Sequence, residues 1–351
     1  MPRRFQPSHA ETRCGGRRPG LIVGAMSETA KPTANPTDPP PDVGSGRMPA
    51  SAQMGLTLLQ SRGFPGYRLV DSGNGRKLER FGDVLVDRPE PQALWKQGLD
   101  AAQWGKALAV FSGEGEDEAG KWRLQGAVPE NWPIPLEDVT VLGRLSAFRH
   151  LGLFPEQLPH WQWMLDAIAA QKPTVDVPRP RVLNLFAYTG AASMLAAKAG
   201  AEVTHVDASK RAIIWAKENQ AASGLAAAPV RWMLDDCRKF VTREVRRHRT
   251  YDIILVDPPK FGRGPEGEVW NLFEDLPALL QDCAKLLAKD RARLVLTAYA
   301  IRASALSIGQ LLAETMAGRA GRTESGELVI AEEGGQRGIS TSLYSRWASD
   351  A

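Results

Sequence analysis

The sequence predicts an α/β protein: a doubly wound, mostly parallel seven-stranded sheet preceded by a small β-rich domain. Three observations predict it. From residue 181 onward, short apolar β-type runs alternate with helix-length segments rich in Ala, Leu and Lys. Residues 56–145 carry a different pattern, brief alternating runs broken by Gly, Asn and Pro. The composition, 43% apolar and 24% charged over 351 residues, is that of a globular chain able to bury a substantial core.

The elements follow in order. Residues 1–55 are a string of Pro, Gly, Ser, Thr and Arg with one apolar patch, Leu21–Val23, too little to offset the entropy of ordering, and are expected to be a disordered tail. Its acids Glu11 and Glu28, and the lack of an amphipathic pattern, argue against a transit peptide; a solvated tail, or an extension upstream of a start at Met26, Met48 or Met54, fits better. In the β-rich domain, 56–145, the strand-like runs are Tyr67–Gly75, Phe81–Pro89 and Gly120–Gly126. The second domain, 146–351, opens with Gly152–Gln157 and the helical spacing of Trp161–Ile168. Its strands are read at Arg181–Phe186, Glu202–Val206, Val230–Leu234, Tyr251–Val256 and Arg293–Thr297, and a closing antiparallel hairpin at Glu327–Ala331 and Leu343–Trp347.

Charge and cysteine usage bound the function. The net charge is +4, but the tail carries seven Arg/Lys against four acids, so the body is left at only +1. Nucleic-acid binding must therefore rest on local clusters, of which the basic run Arg243, Arg246, Arg247, His248 and Arg249 is the clearest. Cations at a helix C-terminus are also favoured by the helix dipole alone. No apolar run reaches the roughly 18 residues of a membrane span, and the start lacks a secretory apolar stretch, so a cytoplasmic protein with no membrane partner is expected. Cys14, Cys237 and Cys283 lack the spacing of a metal site or a disulfide framework; neither is expected.

In doubly wound sheets ligands bind beyond the carboxyl ends of the strands, so four post-strand loops are read together. Phe186-Ala-Tyr-Thr-Gly190 follows the first strand, and Gly190 can bring backbone close to a ligand. Asp207, after the second, stands where a carboxylate accepts two ribose hydroxyls, 17 positions beyond Gly190, the length of one helix and one strand. Asp235-Asp236-Cys237 follows the third and offers a carboxylate to an adenine amino group. Taken singly, Gly190 is a packing glycine and Asp207 or Asp236 a helix N-cap. Asp257-Pro-Pro-Lys260 follows the fourth strand; two prolines fix an extended turn and supply no amide donors, leaving a carboxylate and a carbonyl for the edge of a flat base. A dinucleotide enzyme would need clustered glycines for a pyrophosphate, where this chain has bulky Phe186 and Tyr188. A phosphate-free cofactor, S-adenosylmethionine, fits better.

Val182–Gly190, Asp235-Asp236 and Asp257-Pro-Pro-Lys-Phe261 resemble the Rossmann-like class I S-adenosylmethionine-dependent methyltransferases of the ribosomal-RNA large-subunit type, both the cytosine-C5 enzymes and their guanine-N relatives. The resemblance covers roughly residues 145–350 and is densest at 181–261. It implies Phe186, Ala187, Thr189 and Gly190 around the methionine moiety, Asp207 on the ribose, Asp236 on the adenine and Asp257 at the acceptor; Pro258 and Lys260, in the same turn, are read with Asp257 as catalytic candidates. Gly152–Gln157 resembles the family's segment before the first motif, with Phe154 and Gln157 toward the cofactor.

The chain also departs from that pattern. Cytosine-C5 chemistry needs a thiolate, and Tyr299 stands at the thiol's place after the fifth strand. Enzymes acting on exocyclic amines commonly place an aromatic after the two prolines; Lys260 occupies that position, with Phe261 next. The expectation is methylation of an RNA base, ribosomal RNA first, with Trp270 available for stacking on a base or for packing. A small-molecule methyltransferase and a non-catalytic RNA-binding relative are the alternatives. The sequence leaves the methylated atom and the oligomeric state open.

Overall fold

The computed structural model describes residues 55–113, 120–147, 149–171, 178–299, 301–335 and 337–349; apart from Gly55, the expected tail lies outside them. Seven helices and seventeen strands follow one another among these residues. They are β1 (Leu56–Ser61), β2 (Tyr67–Gly73), β3 (Arg76–Phe81), β4 (Val84–Pro89), α1 (Ala101–Trp104), β5 (Ala109–Ser112), β6 (Lys121–Leu124), β7 (Trp132–Leu136), β8 (Val139–Gly143), α2 (Leu158–Ala170), β9 (Arg181–Leu185) and α3 (Ala191–Lys198). Then come β10 (Glu202–Asp207), α4 (Lys210–Ala222), β11 (Val230–Leu234), α5 (Cys237–Arg246), β12 (Ile253–Val256), β13 (Phe261–Arg263), β14 (Val269–Asn271), α6 (Leu272–Leu286), β15 (Arg293–Tyr299), α7 (Ala305–Thr315), β16 (Gly321–Ala331) and β17 (Gly338–Ser349).

The main sheet runs β1-β16-β17-β15-β12-β9-β10-β11. Strands β15, β12, β9, β10 and β11 are parallel, and β17 is antiparallel to both β15 and β16. β9 and β12 are buried along almost their whole length because helices cover both faces. Two large apolar clusters form, one around Met194, Val182 and Trp161, the other around Phe240, Leu280 and Leu294, with a small third around Leu78, Leu85 and Trp104.

The sheet has eight strands where seven were expected. β1, read with the β-rich region, adds in parallel to β16, Thr57 opposite Gly326. Gly326 permits it, since a Cβ there would lie 1.7 Å from the Thr57 carbonyl oxygen. Helix α6 carries Pro277 inside it, in its second turn.

β2 to β6 form a separate five-stranded sheet, and the hairpin β7–β8 leans on α4. There the backbone amides of Thr140 and Leu142 donate to Ser223 Oγ (3.0 Å) and Asn219 Oδ1 (2.9 Å). The five-stranded sheet buries charge. Tyr67 Oη donates to Glu79 Oε1 at 2.8 Å and Arg88 Nε to Glu79 Oε2 at 2.7 Å. Arg88 also donates to the Arg149 carbonyl at 2.8 Å. Burial pushes the Glu79 carboxyl up, but the charges of Arg88 and Lys77 outweigh it and hold Glu79 below its ordinary value.

Removing one partner of such a pair leaves the other buried and uncompensated. Arg88→Met is expected to lower stability by about 3–5 kcal/mol, read from the urea midpoint at unchanged slope. A depressed carboxyl contributes stability above its unfolded value and loses it as pH falls, so the gap between wild type and variant should narrow in acid; a constant gap would argue against the pair.

Candidate active site

The cavity that brings the post-strand loops together opens at the carboxyl ends of β9, β10 and β12, on either side of the switch point where the chain reverses its order across the sheet. Its volume is about 420 Å³, and its wall includes Phe186, Asp207, Asp236, Asp257, Pro258 and Lys260. A smaller space of about 60 Å³ adjoins it, sharing Phe154, Gln157, Phe186, Tyr188 and Asp257 and reaching Ala187, Thr189 and Gly190. All the sequence-predicted site residues therefore meet at one end of the sheet, divided between two connected spaces.

The loop after β9 is held in an unusual form. Phe186 (φ 55°), Tyr188 (φ 49°) and Gly190 (φ 80°) are all left-handed, a conformation costing non-glycine residues on the order of 1–3 kcal/mol each. Specific bonds offset this. The Tyr188 amide donates to Asp207 Oδ2 at 2.8 Å, and the Ser209 amide to Asp207 Oδ1 at 2.8 Å. The Phe186 amide points to Cys237 Sγ at 3.4 Å. Asp207 thus keeps both oxygens on the cavity wall, each with lone-pair capacity left over. Burial pushes its carboxyl above the ordinary value, and the two amides pull the other way.

Other predicted residues carry structural duties as well. Asp236 is the N-cap of α5, accepting from the Lys239 amide at 3.0 Å, so the N-cap assignment holds while the residue still faces the cavity. A Cβ on Gly190 would meet Ala216 and His205 at 3.3 Å, so its packing role is real too. Thr189 donates its hydroxyl to the Gly152 carbonyl at 2.6 Å, both residues bordering the smaller space. Gly152 itself has φ +94°, and a Cβ there would lie 2.3 Å from the Trp215 ring.

At the acceptor end, Gln157 Nε2 donates to Asp257 Oδ2 at 3.0 Å while Thr297 Oγ1 donates to Gln157 Oε1 at 3.3 Å. Asp257 is pushed up to about 7, first by burial and then by the charge of Glu156, against the pull of Gln157. Burial also raises Glu156. His150, on the same wall, is pushed down to about 3 by burial and by Arg88 and Arg149, so it is neutral near pH 7. Sequence reading missed Glu156 and His150; the Gly152–Gln157 segment contains Glu156 and stops short of His150.

The structure decides between readings that the sequence left open. Trp270 is buried, its indole donates to the Pro259 carbonyl at 2.7 Å and its ring lies 4.9 Å from Phe186, so it packs and is not free to stack on a base. One carbonyl of the Pro-Pro turn is thereby already taken. Gly262–Gly267 belongs to the β13–β14 hairpin, pinned by Arg238 to the Val269 carbonyl (2.8 Å) and by Lys239 to Glu266 and Glu268. Cys237 reaches the wall as a buried thiol pushed well up by burial, the wrong state for a nucleophile. Tyr299 lines the cavity and its hydroxyl accepts from Arg149. Of the basic run, Arg243 pairs with Asp235 after β11, whereas Arg247 and Arg249 lie at the other end of the sheet.

A family model described as S-adenosylmethionine-dependent methyltransferase matches residues 92–318. The crystal structure of the SAM-dependent methyltransferase from Agrobacterium tumefaciens is 52% identical at a TM-score of 0.79, covering 84% of this chain and 94% of that one. Ribosomal RNA large subunit methyltransferase K/L of Shewanella frigidimarina is 41% identical over 109 residues, 30% of this chain and 15% of the relative. Ribosomal RNA large subunit methyltransferase I of Shewanella denitrificans is 29% identical over 222 residues, 58% of this chain and 53% of the relative. The chain thus spans a small part of the first of these relatives and about half of the second.

A carboxyl raised in the fold favours the folded state when protonated, and that advantage is lost as pH rises from its unfolded value toward about 7. Asp257→Asn should therefore match wild-type stability near pH 4 and exceed it increasingly up to pH 7. Urea titrations of both proteins across that range check it; parallel curves would show Asp257 to be ionised throughout.

Proposed function

The chain belongs to the S-adenosylmethionine-dependent methyltransferases, and we propose that within this family it is a cytoplasmic enzyme that methylates a base of ribosomal RNA. One observation carries the reading of the site: Asp207, Asp236 and the Asp257-Pro-Pro-Lys260 turn share one cavity beyond the switch point. The RNA part is supported by the names of the relatives, which are ribosomal RNA large subunit methyltransferases.

The residues present fit the cofactor. Asp207 retains acceptor capacity for a ribose diol, and Asp236 stands at the far wall for an adenine amino group. The left-handed loop Phe186–Gly190, with Ala187 and Thr189, borders the smaller space suited to the methionine end. Bound S-adenosylmethionine supplies an electrophilic methyl group on its sulfonium.

The protein's own work is then alignment and desolvation. Asp257, held by Gln157, accepts a hydrogen bond from an N–H at the edge of the acceptor base, and near pH 7 it is poised to take up the proton released on transfer. Pro258 gives the base a flat, donor-free wall. Lys260, its ammonium 5.4 Å from the centre of the exposed Phe261 ring, stands at the mouth for a phosphate or the base edge.

Two measurements test this. In calorimetry with S-adenosylhomocysteine, Asp207→Ala should weaken binding by at least about tenfold, the loss of charge-assisted hydrogen bonds, while Asp257→Ala binds normally and transfers no methyl. Normal binding by Asp207→Ala would remove the ribose assignment. Nucleoside mass spectrometry of ribosomal RNA from a strain lacking the gene should show one methylated nucleoside missing, restored by wild type and not by Asp257→Ala. An unchanged ribosomal RNA profile would turn the reading to a small-molecule acceptor.

A further inference from the structure

A second cavity of about 270 Å³ lies at the opposite end of the main sheet, bordered by Arg181, Arg231, Arg247 and Arg249 around Glu244. Arg181 opens β9, Arg231 is the second residue of β11 and Tyr251 just precedes β12, so this is the amino-terminal edge of the strands. A strand of five residues rising about 3.3 Å per residue separates it from the cofactor cavity by on the order of 15 Å.

The donors there outnumber the acceptors. Glu244 is buried and receives Arg231 Nη1 (3.3 Å), Arg247 Nη1 (3.2 Å) and Tyr251 Oη (2.7 Å). That nearly fills its capacity of about four lone-pair sites, whereas each guanidinium offers five N–H groups. Arg181 uses one nitrogen on Thr250 Oγ1 at 2.8 Å, and its buried Nε has no partner. Arg249 is exposed, and its side chain has no hydrogen bond or ion pair among the described residues. Glu202, the other acid on the rim, is exposed and outnumbered. Four forked cations against two carboxylates, arranged around a hollow rather than spread over a convex face, form a socket for a multivalent oxyanion.

We propose that this hollow is a second binding site, separate from the cofactor cavity, that takes a phosphate group through Arg181, Arg249 and the free donors of Arg231 and Arg247. Glu244 is the positioning residue: it holds Arg231 and Arg247 apart and aims them inward. The phosphate can come from either of two sources, a free phosphate compound or the backbone of a bound RNA. The second rests on the substrate reading given above and the first does not.

The test uses the full chain, with inorganic pyrophosphate and a short single-stranded RNA as probes, and compares wild type with the Arg181→Gln/Arg249→Gln double variant. S-adenosylhomocysteine binding, remote from both positions, reports folding; Arg249→Gln alone, at an exposed site, serves if the double variant does not fold. If the source is a free phosphate compound, pyrophosphate binds wild type and the double variant binds it about tenfold more weakly, the loss of charged hydrogen bonds. If the source is RNA, pyrophosphate is ignored, while the oligonucleotide binds the variant more weakly and its salt dependence flattens by about 0.7 in slope for each phosphate left without its arginine. Equal binding of both probes by wild type and variant, or binding of neither, overturns the proposal. Failure of the substrate reading would show separately, as unchanged ribosomal RNA methylation.

Discussion

The Asp207 carboxylate is the joint on which the cofactor end of the sheet depends. It accepts amides from Tyr188, in the loop after β9, and from Ser209, at the start of α4. Without that anchor, the left-handed turns at Phe186 and Tyr188 would relax, because nothing intrinsic to either side chain favours them. The same loop sets where α3 begins and how Gly190 meets α4. A single acid thereby shapes the cradle and also presents its remaining lone pairs to it.

The acceptor end is built by a different device, a segment laid across the sheet rather than a loop grown out of it. Gln157 ties Asp257, after β12, to Thr297, within β15, while Glu156 beside it raises the cost of ionising Asp257. This segment is in turn fixed by the buried polar chain that runs from Tyr67 and Glu79 through Arg88 to the backbone of Arg149, whose guanidinium reaches Tyr299. The five-stranded sheet is thus mechanically continuous with the cavity wall. Its buried ions do little for net stability, but each is hydrogen-bonded, as a low-dielectric interior requires.

Charge is divided between the two ends of the main sheet. The cofactor cavity is walled by Asp207, Asp236, Asp257 and Glu156, with Lys260 and Arg263 toward its mouth. Four arginines, Arg181, Arg231, Arg247 and Arg249, gather at the other end. A near-neutral body therefore conceals two regions of opposite sign, which the net charge cannot reveal.

The features legible in the bare chain were local and periodic. The alternation of strands and helices from Arg181, the acid closing β10, the cap at Asp236 and the Pro-Pro turn could all be read, because spacing within one element dictates which face a residue takes and where the element stops. The meeting of distant surfaces was settled only by folding. β1 joins the large sheet because Gly326, far along the chain, leaves room for its backbone. Trp270 is locked by the Pro259 carbonyl, Glu156 lands beside Asp257, and Arg249 stands away from the cofactor cavity, at the opposite end of the sheet. No local period encodes such placements, since they depend on packing that exists only once the sheet has closed.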